Sequence, residues 1–198
     1  MVLATPGDIV PEKKTLLFYD MSIPFLLPPD VTLLAAYKEL TAEIDQQITD
    51  LTRQRFSAFL QCRPGCSDCC IAFSVLPVEA AILRDALSRM QGPVLTPSEG
   101  NSCVFLQGNC FCRLYDRSPL LCRTQGMALA YLDEESQSIE VSACRINFPE
   151  GFAFAQDDLL FMDSFNDRLA VLNIQYCRQA GLQPDCRIAL SDILSSLR

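Results

Sequence analysis

The nine residues from Cys62 to Cys70 constrain this chain more than any other segment. They read Cys-Arg-Pro-Gly-Cys-Ser-Asp-Cys-Cys, so four thiols lie beside a Pro-Gly turn. Seven further cysteines follow, at Cys103, Cys110, Cys112, Cys122, Cys144, Cys177 and Cys186. The chain has no histidine, so a metal bound here is bound by sulfur, with carboxylate as the other common ligand. Because thiolate is a soft ligand, it selects zinc, copper(I) or iron–sulfur clusters over magnesium or calcium.

The composition argues against several classes of function. With 198 residues, of which 49% are hydrophobic, the chain can bury a core without disulfide staples. A formal net charge of −8 argues against a nucleic-acid partner, which needs a basic face, and against an anionic membrane surface. No apolar run approaches the roughly 20 residues that span a bilayer. We therefore expect a protein partner or substrate, with no nucleic acid and no membrane.

The cysteine count also bears on the compartment. Eleven is an odd number, and residues 1–20 lack the basic-then-apolar layout of an export signal. Thiols in cytosolic chains bind metal or do redox chemistry more often than they form disulfides. The sequence therefore predicts a cytoplasmic protein whose cysteines are free, and a disulfide network is the alternative for a chain that has lost its signal.

The hydrophobic pattern predicts an α+β fold, predominantly helical, with small β-hairpins around a cysteine-rich metal site. Residues 1–29 contain five prolines and are expected to form an extended arm, followed by a single domain over 30–198. Predicted helices cover 31–60 after an Asp30 cap, a segment starting at Pro77, 157–180 and 187–197. Predicted strands cover 71–76, a hairpin over 103–112, and a second hairpin formed by 127–132 and 138–142. The expected core includes Phe152, Phe154, Leu159, Leu160, Phe161 and Phe165.

The spacing of the cysteines is typical of metal ligands. Cys66 and Cys69 are separated by two residues, as in many zinc and iron–sulfur sites. Cys69 and Cys70 are adjacent, so their side chains diverge and rarely bind one mononuclear metal. Either one ligates while the other packs, or the two serve different ions. On a strand, Cys110 and Cys112 would share one face.

Arginine follows cysteine unusually often. Six cysteines are directly followed by arginine, in a chain with 13 arginines. Four thiolates around Zn²⁺, or around a [4Fe–4S]²⁺ core, leave a net charge of −2, which nearby guanidinium groups offset. Arg63, Arg113 and Arg123 are therefore predicted to contact the cofactor. The alternative is that they face solvent or pair with acidic residues.

The same residues resemble a known family, the CxxCxxCC proteins described as zinc- or iron-chelating. The resemblance covers about 62–145 and rests first on the Cys-Ser-Asp-Cys-Cys run that begins at Cys66. Downstream, a Cys-Val-Phe-Leu segment begins at Cys103, and a Cys-Arg-Leu-Tyr segment begins at Cys112. An Arg-Ser-Pro-Leu-Leu-Cys-Arg segment ends at Arg123. The first spacing differs, because three residues separate Cys62 from Cys66, and Cys110 is additional.

The resemblance implies a metal-binding protein that holds an iron–sulfur cluster, with a 4Fe–4S centre favoured and zinc as the alternative. The expected metal ligands are Cys62, Cys66, Cys69, Cys70, Cys103, Cys112 and Cys122. Two classes of function remain open for this metal centre. It is either a redox-active or catalytic centre, or a structural four-cysteine zinc site in an interaction module. Flagellin lysine N-methylases share a similar cysteine cluster, so a cluster-dependent modifying enzyme is also an interpretation.

Competing interpretations apply to individual residues. The Cys62, Cys66 and Cys69 spacing is that of the radical S-adenosylmethionine loop, but it follows a long predicted helix rather than a first barrel strand. Free cysteine often only packs, which is the prediction for Cys177 and Cys186, whereas Cys144 is undecided. Catalytic triads that need histidine are excluded, and no catalytic residue is predicted.

Overall fold

The computed structural model describes residues 26–63, 65–90, 100–108, 110–133 and 135–197. Most of the predicted N-terminal arm lies outside these ranges. Its last residues lie against the helices: Leu26 is buried and its carbonyl accepts a hydrogen bond from Arg84 Nη1 at 3.0 Å. The carbonyl of Leu27 accepts one from the Tyr176 hydroxyl at 2.9 Å.

The described chain is a mixed α+β fold, as predicted. The helices are α1 (Val31–Leu51), α2 (Pro77–Arg89), α3 (Leu120–Thr124), α4 (Asp163–Ala180) and α5 (Leu190–Ser195). The strands are β1 (Ser74–Val75), β2 (Ala128–Asp133), β3 (Ser138–Ala143), β4 (Leu160–Phe161) and β5 (Ile188–Ala189). A π-helical turn, Thr52–Phe56, extends α1, and 3₁₀ turns cover Tyr115–Arg117 and Gln156–Asp158. Among the described residues, no helix is long and apolar enough to cross a membrane.

Local signals account for the ends of the main helices. The Asp30 side chain accepts the Leu33 N–H at 2.8 Å and caps α1, as predicted. Pro77 occupies the first position of α2, where its missing N–H costs nothing. Gly181 ends α4 in the left-handed conformation at φ 69°. The first predicted helix, 31–60, is shorter than expected, because it passes into the π turn at Thr52 and ends before residue 60.

The core lies between α1, α2 and α4, where α4 packs against both α1 and α2. Leu40 and Ile44 of α1 are buried there, with Leu83 of α2 and Tyr176 of α4. The helix predicted over 157–180 is too long at its start: Asp163 begins α4, since residues before it form a 3₁₀ turn and β4. Of the six residues expected in the core, Phe161 is instead 37% exposed.

Two small sheets complete the fold. β2 pairs antiparallel with β3, as the predicted hairpin requires, and parallel with β4. β1 pairs antiparallel with β5, so only two residues of the predicted strand over 71–76 belong to a named strand. The predicted hairpin over 103–112 is reduced to one bridge between Leu106 and Cys112. Cys110 adopts φ 62° in its turn, so it does not share a strand face with Cys112.

Candidate metal centre

Main-chain pairing brings the double cysteine against Cys103. The Cys103 N–H donates to the Cys70 carbonyl at 3.0 Å, and the Ala72 N–H donates to the Asn101 carbonyl at 2.8 Å. Ile71 and Ser102 form an antiparallel bridge between these bonds. The segment after Cys70 and the segment before Cys103 therefore lie side by side, although they are far apart in sequence.

A tight turn then returns the chain to the same place. The Arg113 N–H donates to the Phe105 carbonyl and the Gln107 N–H donates to the Phe111 carbonyl, both at 2.9 Å. Phe105 is buried in the core and anchors this turn. Cys112 consequently lies close to Cys103, on the opposite arm of the turn.

Backbone N–H groups point at the sulfurs of Cys103 and Cys112. The Cys103 sulfur interacts with the N–H groups of Phe105 and Leu106, and these contacts act to lower the pKa of its thiol. The Leu114 N–H acts on Cys112 in the same way. For both thiols burial is the larger effect, and it raises the pKa. Hydrogen bonds to a thiolate stabilise its charge, so these contacts partly offset the effect of burial on the ionised form that binds a metal.

A buried carboxylate holds the short helix that carries Cys122. Cys122 lies on α3, and the first N–H of that helix, from Leu120, donates to Glu79 Oε1 at 2.9 Å. The Tyr37 hydroxyl donates to the same oxygen at 3.3 Å. Glu79 is only 6% exposed, and its burial raises the pKa of its carboxyl. The carboxylate thus connects α1 and α2 to the short helix that carries Cys122.

Four thiols meet in this region, and we call them the core thiol group: Cys70, Cys103, Cys112 and Cys122. Burial raises the pKa of each thiol, and that of Cys122 rises furthest. The charges of Cys103, Cys112 and Cys70 raise the pKa of Cys122 further, and those of Cys103 and Cys112 raise that of Cys70. These electrostatic effects place the four thiols in one neighbourhood of the fold.

Three further thiols form a second set, the loop thiol group: Cys62, Cys66 and Cys69. Burial, and then the charge of Cys70, raises the pKa of Cys69 to about 11, with smaller contributions from Cys66 and Cys62. Turn hydrogen bonds shape this loop: Cys66 N–H to Arg63 carbonyl at 2.9 Å, and Cys70 N–H to Ser67 carbonyl at 2.8 Å. The adjacent Cys69 and Cys70 therefore differ in their main neighbours.

Asn147 holds the start of the loop thiol group. Its Nδ2 donates to Cys62 Sγ at 3.3 Å and to the Gly126 carbonyl at 2.7 Å, while its Oδ1 accepts the Gln61 N–H at 2.8 Å. Asn147 is 3% exposed. Sequence reasoning missed this residue, because nothing in its neighbourhood along the chain links it to Cys62.

The arginines predicted to contact the cofactor have different surroundings. Arg123 Nη1 forms an ion pair with Asp45 Oδ2 at 2.6 Å, and its other nitrogens donate to the carbonyls of Ser118 and Asp116. It therefore links α3 to α1. Arg63 is exposed and Arg113 is half-buried, and their predicted role stays a prediction.

The remaining cysteines lie outside both thiol groups. Cys110 is exposed in the turn before Cys112, and Cys144 follows β3. Cys177 is buried in α4, where its thiol lies 3.7 Å from Asn173 Oδ1. Burial, then the nearby charge of Cys186, raises the pKa of Cys177. Packing therefore accounts for Cys177, as predicted.

The donor chemistry fits a thiophilic metal, but the present arrangement is not a finished coordination sphere. All eleven cysteines are free thiols. Across the described ranges, no three or more cysteine, aspartate or glutamate side chains are arranged to hold a metal ion as they stand. The sulfurs of the core thiol group would have to approach one another on binding. A metal would also offset the repulsion between the four sulfurs once they lose their protons.

Comparison with known proteins gives one result that bears on this region. Neither the curated proteins nor the solved structures include a significant match to the chain. Residues 61–145 match the model of the CxxCxxCC family, described as a "putative zinc- or iron-chelating domain". The matched segment includes all of the core thiol group and all of the loop thiol group. The match supports metal binding in general.

Proposed function

We propose that this protein binds an iron–sulfur cluster through the core thiol group. The observation that carries the proposal is the gathering of Cys70, Cys103, Cys112 and Cys122 from three separate parts of the chain. Cys103 lies in the hydrophobic core, and Cys70 and Cys112 pack against it. Cys122 lies on α3. Four cysteines at one place form, once deprotonated, the ligand set that a [4Fe–4S] cluster uses.

The residues of the chain contribute in distinct ways. Cys70, Cys103, Cys112 and Cys122 would hold the cluster, which supplies one-electron redox chemistry when bound. The N–H groups of Phe105, Leu106 and Leu114 stabilise thiolate charge. The loop thiol group adds three thiols beyond the four that either a [4Fe–4S] cluster or a tetrahedral zinc needs.

Zinc is the second candidate, and the same backbone contacts support it. The backbone N–H groups directed at Cys103 and Cys112 serve a structural zinc site equally well, since such sites are closed tetrahedra of thiolates. In that case the metal would hold the three segments together, and the protein would act through binding partners.

We also propose a cytoplasmic location. A reducing compartment keeps thiols available to metal, and ligation by the core thiol group requires reduced cysteines.

Anaerobic purification, an absorption spectrum and elemental analysis for iron, sulfide and zinc test the proposal. A brown protein that absorbs near roughly 400 nm, with about four irons per chain, is the expected result for a [4Fe–4S] centre. A colourless protein with one zinc would replace the first candidate by the second. A chain that retains neither iron nor zinc, and takes up neither on reconstitution, would refute metal binding.

Single variants identify the ligands. We expect Cys122→Ala to lose the metal and to destabilise the fold, and we expect the same of Cys69→Ala if the loop thiol group also ligates. Cys186→Ala is the matched control, since Cys186 lies outside residues 61–145, which match the family model. Full metal content in both Cys69→Ala and Cys122→Ala would contradict the ligand assignment.

A further inference from the structure

Two cysteines outside residues 61–145 lie in one neighbourhood at the end of α4. Cys177 belongs to the last turn of that helix, and Cys186 lies in the connection between α4 and β5. The Cys177 thiol donates to the Gln183 carbonyl at 3.8 Å, and the Cys186 N–H donates to the same oxygen at 3.2 Å. One oxygen therefore contacts both cysteines. After the larger effect of burial, the charge of Cys186 raises the pKa of Cys177, which agrees with this proximity.

Hydrogen bonds hold the connection between α4 and β5 against the helix. The Leu182 N–H donates to the Cys177 carbonyl at 2.9 Å. Asn173 Nδ2 donates to the Pro184 carbonyl at 2.8 Å. Asn173 is 1% exposed, and its Oδ1 accepts the Val78 N–H of α2 at 3.2 Å, so its own position is fixed. The connection therefore stays beside Cys177 as long as these bonds are kept.

Strand pairing holds the other end of the connection. β5 begins at Ile188, directly after the Cys186-Arg187 pair, and it is antiparallel to β1. The Leu190 N–H adds a hydrogen bond to the Phe73 carbonyl at 3.2 Å. Cys186 is thus held on both sides. A bond between its sulfur and that of Cys177 would close a loop whose ends the fold already brings together.

The two thiols differ in their access to solvent. Cys177 is 1% exposed, whereas Cys186 is half-buried. Arg187 Nη1 donates to the carbonyls of Asp185 and Cys186, at 3.2 and 3.0 Å, so its guanidinium group is held beside Cys186. A disulfide oxidant that carries carboxylates, such as glutathione disulfide, would meet an accessible thiol next to a positive charge. The buried thiol is then available as the second reactant.

We propose that glutathione disulfide oxidises Cys186, and that Cys177 converts the product to an intramolecular disulfide. First, the Cys186 sulfur attacks one glutathione sulfur, the S–S bond of the oxidant breaks, and one glutathione leaves. Then the Cys177 sulfur attacks Cys186 Sγ and releases the second glutathione. The protons of the two cysteines end on the two glutathione thiols. The cysteine pair loses two electrons, and glutathione disulfide gains them.

The disulfide would fasten β5, and through it β1, to the end of α4. Disulfides in reducing compartments are mostly transient and serve catalysis or redox sensing, so a reversible bond is compatible with the cytoplasmic location proposed for this protein. Both cysteines lie outside the residues that match the family model. The inference therefore does not depend on which metal the protein binds, and it describes a redox-sensitive restraint on the fold.

Peptide mapping of the full-length protein tests the proposal. Trypsin cleaves after arginine, so Cys177 falls in peptide 169–178 and Cys186 in peptide 179–187, with no other cysteine in either. The anaerobically purified protein is equilibrated at increasing ratios of glutathione disulfide to glutathione, alkylated and digested. We expect the two peptides to be recovered joined by a disulfide as the ratio rises, and to separate when the ratio is lowered again. A wild type that never yields the joined peptides would overturn the proposal.

Serine variants separate the roles of the two cysteines. In Cys177→Ser nothing resolves the first product, so Cys186 should accumulate bound glutathione. In Cys186→Ser we expect Cys177 to stay a reduced thiol, because it is 1% exposed. Cys110→Ser is the matched control and should yield the joined peptides as the wild type does. Circular dichroism should show that each variant is folded. Equal glutathione addition to Cys177 and Cys186 in the two variants would overturn the assigned order of reaction.

Thermal unfolding tests the restraint. A disulfide that closes a short loop should raise the Tm of the oxidised wild type by about 5–10 °C over that of the reduced protein. Cys186→Ser, treated with the same oxidant, should show no such increase, which controls for oxidation of other cysteines. Equal Tm values for the oxidised and reduced wild type would overturn the restraint, even if the joined peptides are found.

Discussion

Glu79 is the residue on which the candidate metal centre most depends without contributing a sulfur. A carboxylate that is 6% exposed is costly unless its oxygens are hydrogen-bonded. Here one oxygen accepts the Leu120 N–H and the Tyr37 hydroxyl, and the charge of Glu79 is felt at Cys122. The chain therefore uses a buried acceptor to hold α3, and the position of Cys122 follows from the position of α3.

Glu79 variants should separate its acceptor role from its charge. Burial raises the pKa of the carboxyl above 4.5, so the folded state favours its protonated form. The stability that Glu79 contributes is therefore fully present below pH 4.5 and is lost as pH rises through the raised pKa. Glu79→Gln keeps the oxygen acceptor and removes the loss of stability that ionisation of Glu79 causes. In urea unfolding of the metal-free protein, we expect Glu79→Gln to be more stable than wild type at pH 7, with the difference shrinking towards pH 4.

The control for this prediction is Glu79→Leu. Leucine leaves the Leu120 N–H and the Tyr37 hydroxyl without their acceptor, at about 1–3 kcal/mol for each buried group. We expect Glu79→Leu to bind metal more weakly, whereas Glu79→Gln should bind like the wild type, as measured by competition with a chromophoric chelator. Equal metal affinity in the two variants would show that Glu79 does not position Cys122.

At the scale of elements, the loops rather than the helices decide where the thiols lie. The helix starts at Asp30 and Pro77 follow local rules, but the loops that carry cysteine are shaped by contacts with distant segments. The connection between α3 and β2 is the clearest case. Gly126 has φ 94°, and a Cβ atom at this position would lie 2.6 Å from Cys62 Sγ. Only glycine allows the two loops to approach this closely.

Gly126→Ala should therefore lower the free energy of unfolding by more than backbone strain alone would. Gly151, at φ 80°, has no neighbouring atom within 4 Å of the position that a Cβ would take, so Gly151→Ala measures the strain without the contact. The strain of an alanine in this conformation is about 1–2 kcal/mol. We expect Gly126→Ala to lower the free energy of unfolding by about 1–3 kcal/mol more than Gly151→Ala, because Cys62 must move. Urea denaturation of both variants tests this, and equal losses would mean that the Cys62 contact is not needed.

At the scale of the whole molecule, the core thiol group joins parts of the chain that secondary structure leaves separate. Cys70 precedes β1, Cys103 and Cys112 flank an irregular turn, and Cys122 lies on a five-residue helix. Few main-chain hydrogen bonds connect the segments that carry these cysteines. A bound metal would therefore restrain the positions of the segments where hydrogen bonds do not. Metal binding should consequently be coupled to the stability of the fold.

Removal of the metal should lower the unfolding temperature. At a free metal concentration 100 times the dissociation constant, binding adds about 2.7 kcal/mol. For a chain of this length that corresponds to roughly 5–10 °C in Tm. Differential scanning calorimetry before and after treatment with a chelator should show this decrease. Calcium or magnesium should not restore the Tm, and Cys122→Ala should show no metal-dependent shift. An unchanged Tm in the chelated wild type would argue that the metal contributes nothing to the fold.

Short-range physics explains what could be predicted from the sequence alone. The N-cap at Asp30, the proline start of α2 and the β2–β3 hairpin follow from neighbouring residues, so the α+β class followed from them too. The thiol-only donor set followed from composition, since the chain has no histidine. Tertiary structure decided the rest. Alternation along β3 shows which residues share a face, but only packing shows which face meets the core. Likewise, spacing marks Cys66 and Cys69 as ligand-like, but only long-range contacts separate the seven cysteines into two groups and bring Glu79 and Asn147 to them. These contacts join residues far apart in sequence, and no local pattern encodes them.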